Sequence, residues 1–350
     1  MFLGPMEGVS EFPFRLWVNS ISEPISTFTP FLRLTENFPF REIPHYFWPE
    51  ILIEDFQKIV WWKSKLQVMT PEPRFLKNVI HKIPKGQFLD MNCGCPSQTV
   101  TGRGSGSSLL RSKDIFSTFL NECFENLGDT PMSVKMRTGF HGSDIFFDLL
   151  ECLIDLPISH LTVHGRTRDQ KYSGNADWSL ISQAAQTLKI PVYGSGDLTD
   201  QGQILETRIK HPSISGFFIA RGAIANPWIF ALDQPSTENQ SFDLARSSLQ
   251  LFHTLTLLWD EDNPRHFLPI LEILNHYKPL NQLQDFEKVR LMLDRFQNGG
   301  DDFQKKNRRK ALSRTKMIWT YMKNRFPDHP NGRLALRSSS IEEMMSLLGA

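Results

Sequence analysis

Eight short apolar or β-branched runs recur along residues 1–230, at 2–6, 27–34, 65–69, 88–93, 132–137, 160–164, 191–194 and 216–220, each followed by a longer stretch of helical periodicity. Their spacing, roughly 20 to 45 residues, is what a parallel strand and its crossover helix need, and eight such units close a (β/α)8 barrel. A doubly wound sheet would instead place a Gly-rich fingerprint after its first strand and an acidic residue after its second. Here the first run ends Pro5-Met6-Glu7-Gly8 and the second Phe31-Leu32-Arg33, so a barrel is predicted.

The ends of these runs carry the chemistry. In order they offer Met6-Glu7, Arg33, Gln67, Asn92 with Cys95, Lys135 with Arg137, His164 with Arg166, Ser195-Gly196-Asp197 and Arg221-Gly222. A single Lys or His at a strand end is more often a solvated or capping residue. Eight polar strand ends on the face where barrels build their active sites read as one site with many contributors. Cys95, between Gly94 and Pro96, is the most reactive of them. Gly102, Gly104 and Gly106 follow it and predict a mobile or tightly turned loop able to close as a lid. In the last two units, Tyr193-Gly194-Ser195-Gly196-Asp197 and Ala220-Arg221-Gly222-Ala223 put small residues where backbone amides can approach a phosphate. With Lys135 and His164 nearby, a phosphorylated cofactor such as FMN is expected. The same glycines would also serve tight turns alone.

Composition sets further bounds. The 350 residues suffice for one large domain and a smaller one. No apolar run reaches the roughly 18 residues of a spanning helix, and the N-terminus lacks a secretory pattern, so a cytoplasmic protein is expected, with no membrane partner. Cys93-Gly-Cys95 invites a metal, but zinc would need two more ligands, and Cys123 and Cys152 lie in apolar helical patterns as core residues; no metal is expected.

After about residue 235 the repeat stops and helical periodicity continues alone. This predicts a barrel over 1–235, a helical domain over 240–326 and a loosely attached tail over 327–350, with a turn at 298–302 before the last helix. A net charge of +1 conceals a cationic segment: residues 303–327 hold nine Lys or Arg and no Asp or Glu. Leu312, Trp319, Met322 and Phe326 share that helix and would fix it on a core, leaving a basic surface for phosphates; a merely solvated face is the alternative.

These motifs resemble the tRNA-dihydrouridine synthases. The resemblance runs from Pro5 to about Phe326 and rests on Pro5-Met6-Glu7-Gly8-Val9, on Met91-Asn-Cys-Gly-Cys-Pro-Ser97 with its Gly-rich continuation to Leu110, on Val134-Lys-Met-Arg-Thr-Gly139 and on Val163-His-Gly-Arg-Thr-Arg168. Within the family the chain is most similar to the bacterial C type, which acts on uridine 16 of the D-loop, because Glu7 follows Pro-Met and because Thr29-Pro-Phe-Leu-Arg33 resembles its second strand.

The resemblance implies FMN on the barrel mouth, with Pro5, Met6 and Glu7 along the ring, Gln67 and Lys135 on its polar edge and His164 close by. It implies Ser195, Gly196, Asp197, Ala220 and Arg221 at the ribityl phosphate, although Ser195 stands where Asn is usual, Ala220 where Gly is, and Cys93 where Leu is. It further implies that Asn92 and Tyr172 meet the uridine, and that Arg33, Arg314 and Lys316 meet tRNA. Reduction of uracil needs a hydride, which only a cofactor supplies, with NADPH or NADH as reductant by the family pattern, and a proton, for which Cys95 is the candidate donor. The substrate would be tRNA and the protein a monomer. Two other readings stay open: an FMN barrel oxidoreductase acting on a small molecule, of dihydroorotate dehydrogenase type, and a non-catalytic tRNA-binding chaperone.

Overall fold

The computed structural model describes residues 1–23, 25–43, 47–51, 63–231, 238–296 and 301–349. The boundary read at 235 lies outside them; of the turn read at 298–302 only Asp301 and Asp302 are described, and they open a helix.

The strands are β1 (Phe2–Leu3), β2 (Ser26–Phe28), β3 (Leu32–Arg33), β4 (Ser64–Met69), β5 (Leu89–Cys93), β6 (Met132–Arg137), β7 (Ile158–His164), β8 (Val192–Ser195) and β9 (Gly216–Ile219). All pairings are parallel, and β1 pairs with both β2 and β9, so the sheet closes on itself. Both β2 and β3 pair with β4, so together they fill one barrel position. The single run read at 27–34 is therefore interrupted. Thr29-Pro30-Phe31 sits in the gap, where Pro30 has no N–H to give the ladder.

Inside the barrel the alternation of the strands separates two chemistries. Leu66, Val68, Leu89, Met91, Met132, Val134, Met136, Leu161 and Val163 are fully buried on one face, the natural seat for crossover helices. The intervening positions are polar: Gln67, Asp90, Asn92, Ser133, Lys135, Thr162 and His164. Near the amino ends of the strands, the inner layer is aromatic. Phe2 meets Tyr193 and Phe218 (centroids 4.9 Å each), Phe28 meets Phe218 (4.7 Å) and Phe88 meets His160 (4.9 Å). Burial there pushes the His160 imidazolium down to a pKa of about 4, which keeps the ring neutral. These rings fill the amino end of the barrel interior, with Phe28 and Phe218 buried and Phe2, Phe88 and Tyr193 half-buried. Flanking helices are capped locally: the Ser112 side chain accepts from Ile115 N, Asp177 from Ser179 N and Leu180 N, and Asp200 from Gln203 N.

The chain divides into two units. The barrel unit comprises Met1–Gly8, Ser26–Ile43 and Ser64–Ala220; the helical unit comprises Val9–Ile25, the described part of 44–63, and everything from Arg221 onward. The helix Phe12–Ile21, which falls within the predicted 1–235 barrel, thus groups with the C-terminal helices. Its packing explains why: Trp17 Nε1 donates to Ser248 O at 2.7 Å, Phe12 lies 4.5 Å from Trp259, and Arg15 is fully buried against Glu50. The basic helix Asp301–Met322 buries Ala311, Thr315, Ile318, Trp319 and Met322 and packs on Glu238–Leu258. Leu312, read as part of that apolar face, is only half-buried.

Residues 327–349, read as a loose tail, instead form a 3-10 turn at Leu334–Arg337 and a helix at Ile341–Gly349, with Ala335, Met344 and Leu348 buried. Two apolar residues one helical turn apart, Met344 and Leu348, are the signal that docks this segment. Among the described residues no helix is long and apolar enough to cross a membrane.

Candidate active site

Cys95 follows β5 and is half-buried. Its position is held through the backbone. The Asn92 side-chain carbonyl accepts from the N–H groups of Gly94 and Cys95, both at 3.0 Å, and the Cys95 carbonyl accepts from Ser107 N (3.1 Å) and Ser107 Oγ (2.8 Å). Burial raises the thiol above its ordinary pKa and the carboxylate of Glu7 adds to the rise; the backbone N–H of Ser97 and the cations Arg137 and Lys135 oppose it. At neutral pH the group is a thiol and a proton donor.

The Gly-rich stretch after Cys95 is folded rather than open. A short helix at Gln98–Thr101 and a 3-10 turn at Gly106–Arg111 bury Ser105 and Ser107, and Gly106 takes φ +60. A Cβ at Gly106 would stand 2.9 Å from the Cys95 carbonyl and 2.9 Å from Val100 Cγ1. Gly106 serves both a left-handed turn and a close approach to the Cys95 carbonyl.

Asn92 belongs to a buried chain of side chains. Its Nδ2 donates to Gln67 Oε1 (2.8 Å), Gln67 Nε2 donates to Asp90 Oδ2 (2.6 Å), and Ser133 Oγ donates to Asp90 Oδ1 (2.6 Å). Gln67, Asp90 and Ser133 are direct cross-strand neighbours on β4, β5 and β6. Burial raises Asp90 from 3.8 to about 6, against the opposing pull of Ser133, Gln67 and Lys135. Lys135 lies at the Asn92 register on β6. Burial, reinforced by Arg137, pushes its ammonium down to about 8, while Asp90 and Cys95 pull the other way. Among the described residues Lys135 Nζ has no hydrogen-bond acceptor or ion-pair partner.

Two arginines fix the surrounding loops. Arg137, nearly fully buried, donates to the carbonyls of Gly94 (2.9 Å), Thr167 (2.8 Å) and Lys171 (2.9 Å), and its guanidinium lies 5.6 Å from the Tyr172 ring. Arg166 donates to both carboxylate oxygens of Asp197 (2.8 Å each), to Gly174 O (2.5 Å) and, at 3.3 Å, to His164 Nε2. Because a guanidinium only donates, this contact makes Nε2 the acceptor and places the imidazole proton on Nδ1. His164 is buried, with Tyr172 tilted 6.4 Å away and Tyr172 itself 54% exposed.

The other sequence-derived residues fall as follows. Pro5 and Met6 are half-buried and Glu7 exposed in the turn after β1; Ser195 is buried at the end of β8, opposite His164 in register; Ala220 is half-buried after β9. Gly196 (φ +136) leaves no room for a Cβ, which would come within 2.4 Å of Ala176 Cβ. Asp197 accepts from Arg166 through both carboxylate oxygens and from Ala176 N (2.7 Å). Arg33 reaches over the loop after Cys95 to Thr99 O (3.4 Å). Arg221 begins the helix Arg221–Ala225 and belongs to the helical unit.

In that unit, Arg314 is ion-paired with Glu11 and Lys316 donates to Ser338 O (2.5 Å), both being half-buried; Lys306, Arg308 and Arg309 of the same helix are exposed. Asp90, Ser133 and Ser107 went unremarked in the sequence. The period-two polar positions of β5 and β6, Asp90/Asn92 and Ser133/Lys135/Arg137, were the available signal. Among the described residues no group of three or more His, Cys, Asp or Glu is placed to hold a metal.

By its closed ring of parallel strands, and by the strand ends on which its reactive groups converge, the chain is a (β/α)8-barrel protein of the catalytic type. Residues 2–315 match the dihydrouridine synthase (Dus) family model, and the chain belongs to that family. A probable tRNA-dihydrouridine synthase of Staphylococcus aureus is 28% identical over 321 residues, covering 86% of this chain and 94% of that one. A tRNA-dihydrouridine(47) synthase of Cryptococcus neoformans, named as NAD(P)-dependent, is 33% identical over 174 residues, 46% of this chain and 24% of that one. The tRNA-dihydrouridine synthase B of Xanthomonas campestris is 33% identical over 172 residues, 47% of this chain and 50% of that one. The match to the fungal protein thus spans about a quarter of its length, and the match to the B-type protein half.

Proposed function

We propose that this chain reduces uridine to 5,6-dihydrouridine in tRNA, with FMN in the barrel mouth, NADPH or NADH as the source of electrons and Cys95 as the proton donor. One observation carries the reading: the half-buried thiol of Cys95 stands in electrostatic contact with the half-buried ammonium of Lys135, which has no acceptor among the described residues. An ammonium desolvated in this way fits a ligand's acceptor atoms, as the polar edge of a flavin ring would present.

Within that reading, Lys135 and Gln67 would hold the polar edge of the ring, Pro5, Met6 and Glu7 would lie along it, and Ser195, Gly196 and Ala220 would face the phosphate end. The hydride that no side chain can supply comes from FMN when it is bound and reduced. Cys95 would deliver its proton to C5 of the uracil, and Lys135 would balance negative charge at the ring edge. His164, its Nε2 occupied by Arg166, would keep Nδ1–H toward its other side. Tyr172, half-exposed above His164, would stack on a flipped base. The basic helix would hold tRNA phosphates through its exposed Lys306, Arg308 and Arg309.

Glu7 and the Thr29-Pro-Phe-Leu-Arg33 segment favour uridine 16 of the D-loop. The test is to incubate purified protein with FMN, NADPH and tRNA lacking the modification and to map dihydrouridine by position. Dihydrouridine at 16 supports the whole reading; at 47, the position named for the fungal relative, it supports the reaction and overturns the position; its absence with bound flavin and NADPH oxidation would point to a small-molecule substrate.

A further inference from the structure

The chain Ser133–Asp90–Gln67–Asn92 has a direction. An ionised carboxylate only accepts, so Asp90 forces Gln67 to turn its Nε2 toward it, at 2.6 Å. Gln67 Oε1 is then left facing Asn92, which must answer with Nδ2, at 2.8 Å. The remaining Asn92 atom, Oδ1, is thereby aimed at the backbone N–H groups of Gly94 and Cys95. Gln67 and Asp90 are fully buried and Asn92 nearly so, so no water is at hand to replace a lost partner. Gln67 on its own could be turned end for end; the Asp90 carboxylate at one end of the chain and the two donating N–H groups of Gly94 and Cys95 at the other remove that choice.

We infer that Asp90 is a positioning residue for Cys95, setting the orientation of the Gln67 and Asn92 amides and through them the place of the Cys95 backbone. Asp90 does not touch the thiol and exchanges no proton with it. Its effect travels through two amide groups and ends on two N–H groups of the loop. The inference rests on the proposed function only for the importance of Cys95; the relay is a property of this chain without substrate or cofactor.

The experiment is alkylation of the purified full-length protein with iodoacetamide, following the Cys95 peptide by mass, with the half-buried Cys152 in the same sample as the reference for general loosening. Asp90→Leu removes the acceptor, frees the Gln67 amide and so weakens the support behind Asn92, and should raise the Cys95 rate about tenfold, the scale of losing a hydrogen bond or two, with Cys152 unchanged. Asp90→Asn, which can still accept from Gln67 while donating to Ser133 Oγ, should restore the Cys95 rate to within about threefold of the unmodified chain. Ser133→Ala removes the other bond to the same carboxylate but no link of the relay, and should leave Cys95 unchanged. If Asp90→Leu does not fold, Gln67→Met breaks the relay one link further on and should give the same rise. An unchanged Cys95 rate in the Leu or Met variant, an equal rise at Cys152, or an equal rise in Ser133→Ala overturns the relay. Failure to form dihydrouridine would overturn the proposed reaction and leave this result standing.

Discussion

Gly106 and Cys95 are packed backbone against backbone: a Cβ built on Gly106 would lie 2.9 Å from the Cys95 carbonyl oxygen and 3.1 Å from Cys95 Cβ. With φ at +60 as well, position 106 admits glycine on two independent grounds. Gly106→Ala should therefore cost about 1 to 2 kcal/mol of stability and displace Cys95. Thermal melting and the activity of Gly106→Ala on tRNA check this; a variant with unaltered melting temperature and full turnover would show that the loop accommodates the methyl group.

Lys135 should make stability depend on pH in a defined direction. Its folded-state pKa, about 8, lies below the ordinary 10.5, so the unfolded chain binds the proton more tightly between those values. The contribution of Lys135 is thus fully present above pH 10.5 and lost as pH falls through about 8. Lys135→Met should gain in melting temperature relative to the unmodified protein at about pH 7 and lose that advantage by about pH 10, while binding FMN more weakly. A difference in melting temperature that is flat across this range contradicts the assignment.

Arg15 and Glu50 form a buried pair, with 2.8 Å from Nε to Oε1 and 2.7 Å from Nη2 to Oε2, and Arg15 Nη1 also donates to Ser10 O at 2.6 Å. Glu50→Ala would strand a guanidinium that is fully buried, a change that costs about 3 to 5 kcal/mol. Denaturant unfolding should show a midpoint shift of that size; a shift below about 1 kcal/mol would mean water or another carboxylate takes over.

The basic helix should separate binding from folding. Replacing the exposed Lys306 and Arg309 with Ala should weaken tRNA binding and lower the slope of log affinity against log salt by about 1 for each phosphate that is no longer neutralised, with an unchanged melting temperature. Arg314→Ala should instead lower the melting temperature, because the half-buried ion pair with Glu11 is lost. Salt titrations with tRNA and thermal melts of the two variants check the division.

The barrel was legible because strand and crossover lengths repeat, and parallel strands covered by helices write continuous apolar runs. The strand-end residues were legible as a set, since Gln67, Asn92, Lys135 and His164 each stand at or near the end of a run. Their partnerships were not. That Asp197 answers Arg166, that Arg314 is tied to Glu11, and that Phe12–Ile21 packs with the C-terminal helices all depend on contacts between residues far apart in the chain, which no local pattern encodes. Asp90 was hidden for a different reason. An acidic residue inside an apolar run reads as a solvated edge position unless the alternation of Asp90/Asn92 against Ser133/Lys135 is followed across strands. Glycines were ambiguous at the level of sequence, because mobility and close packing both call for the missing side chain; the burial of Ser105 and Ser107 around Gly106 decides for packing.

The central claim is that Cys95 supplies the proton when uridine is reduced. The most direct measurement compares the unmodified protein and Cys95→Ala, both loaded with FMN and supplied with NADPH and tRNA that lacks the modification, counting dihydrouridine formed per flavin. The account predicts that Cys95→Ala keeps its flavin and its melting temperature and loses dihydrouridine formation by a factor of about 100 or more. Turnover undiminished in Cys95→Ala would contradict it.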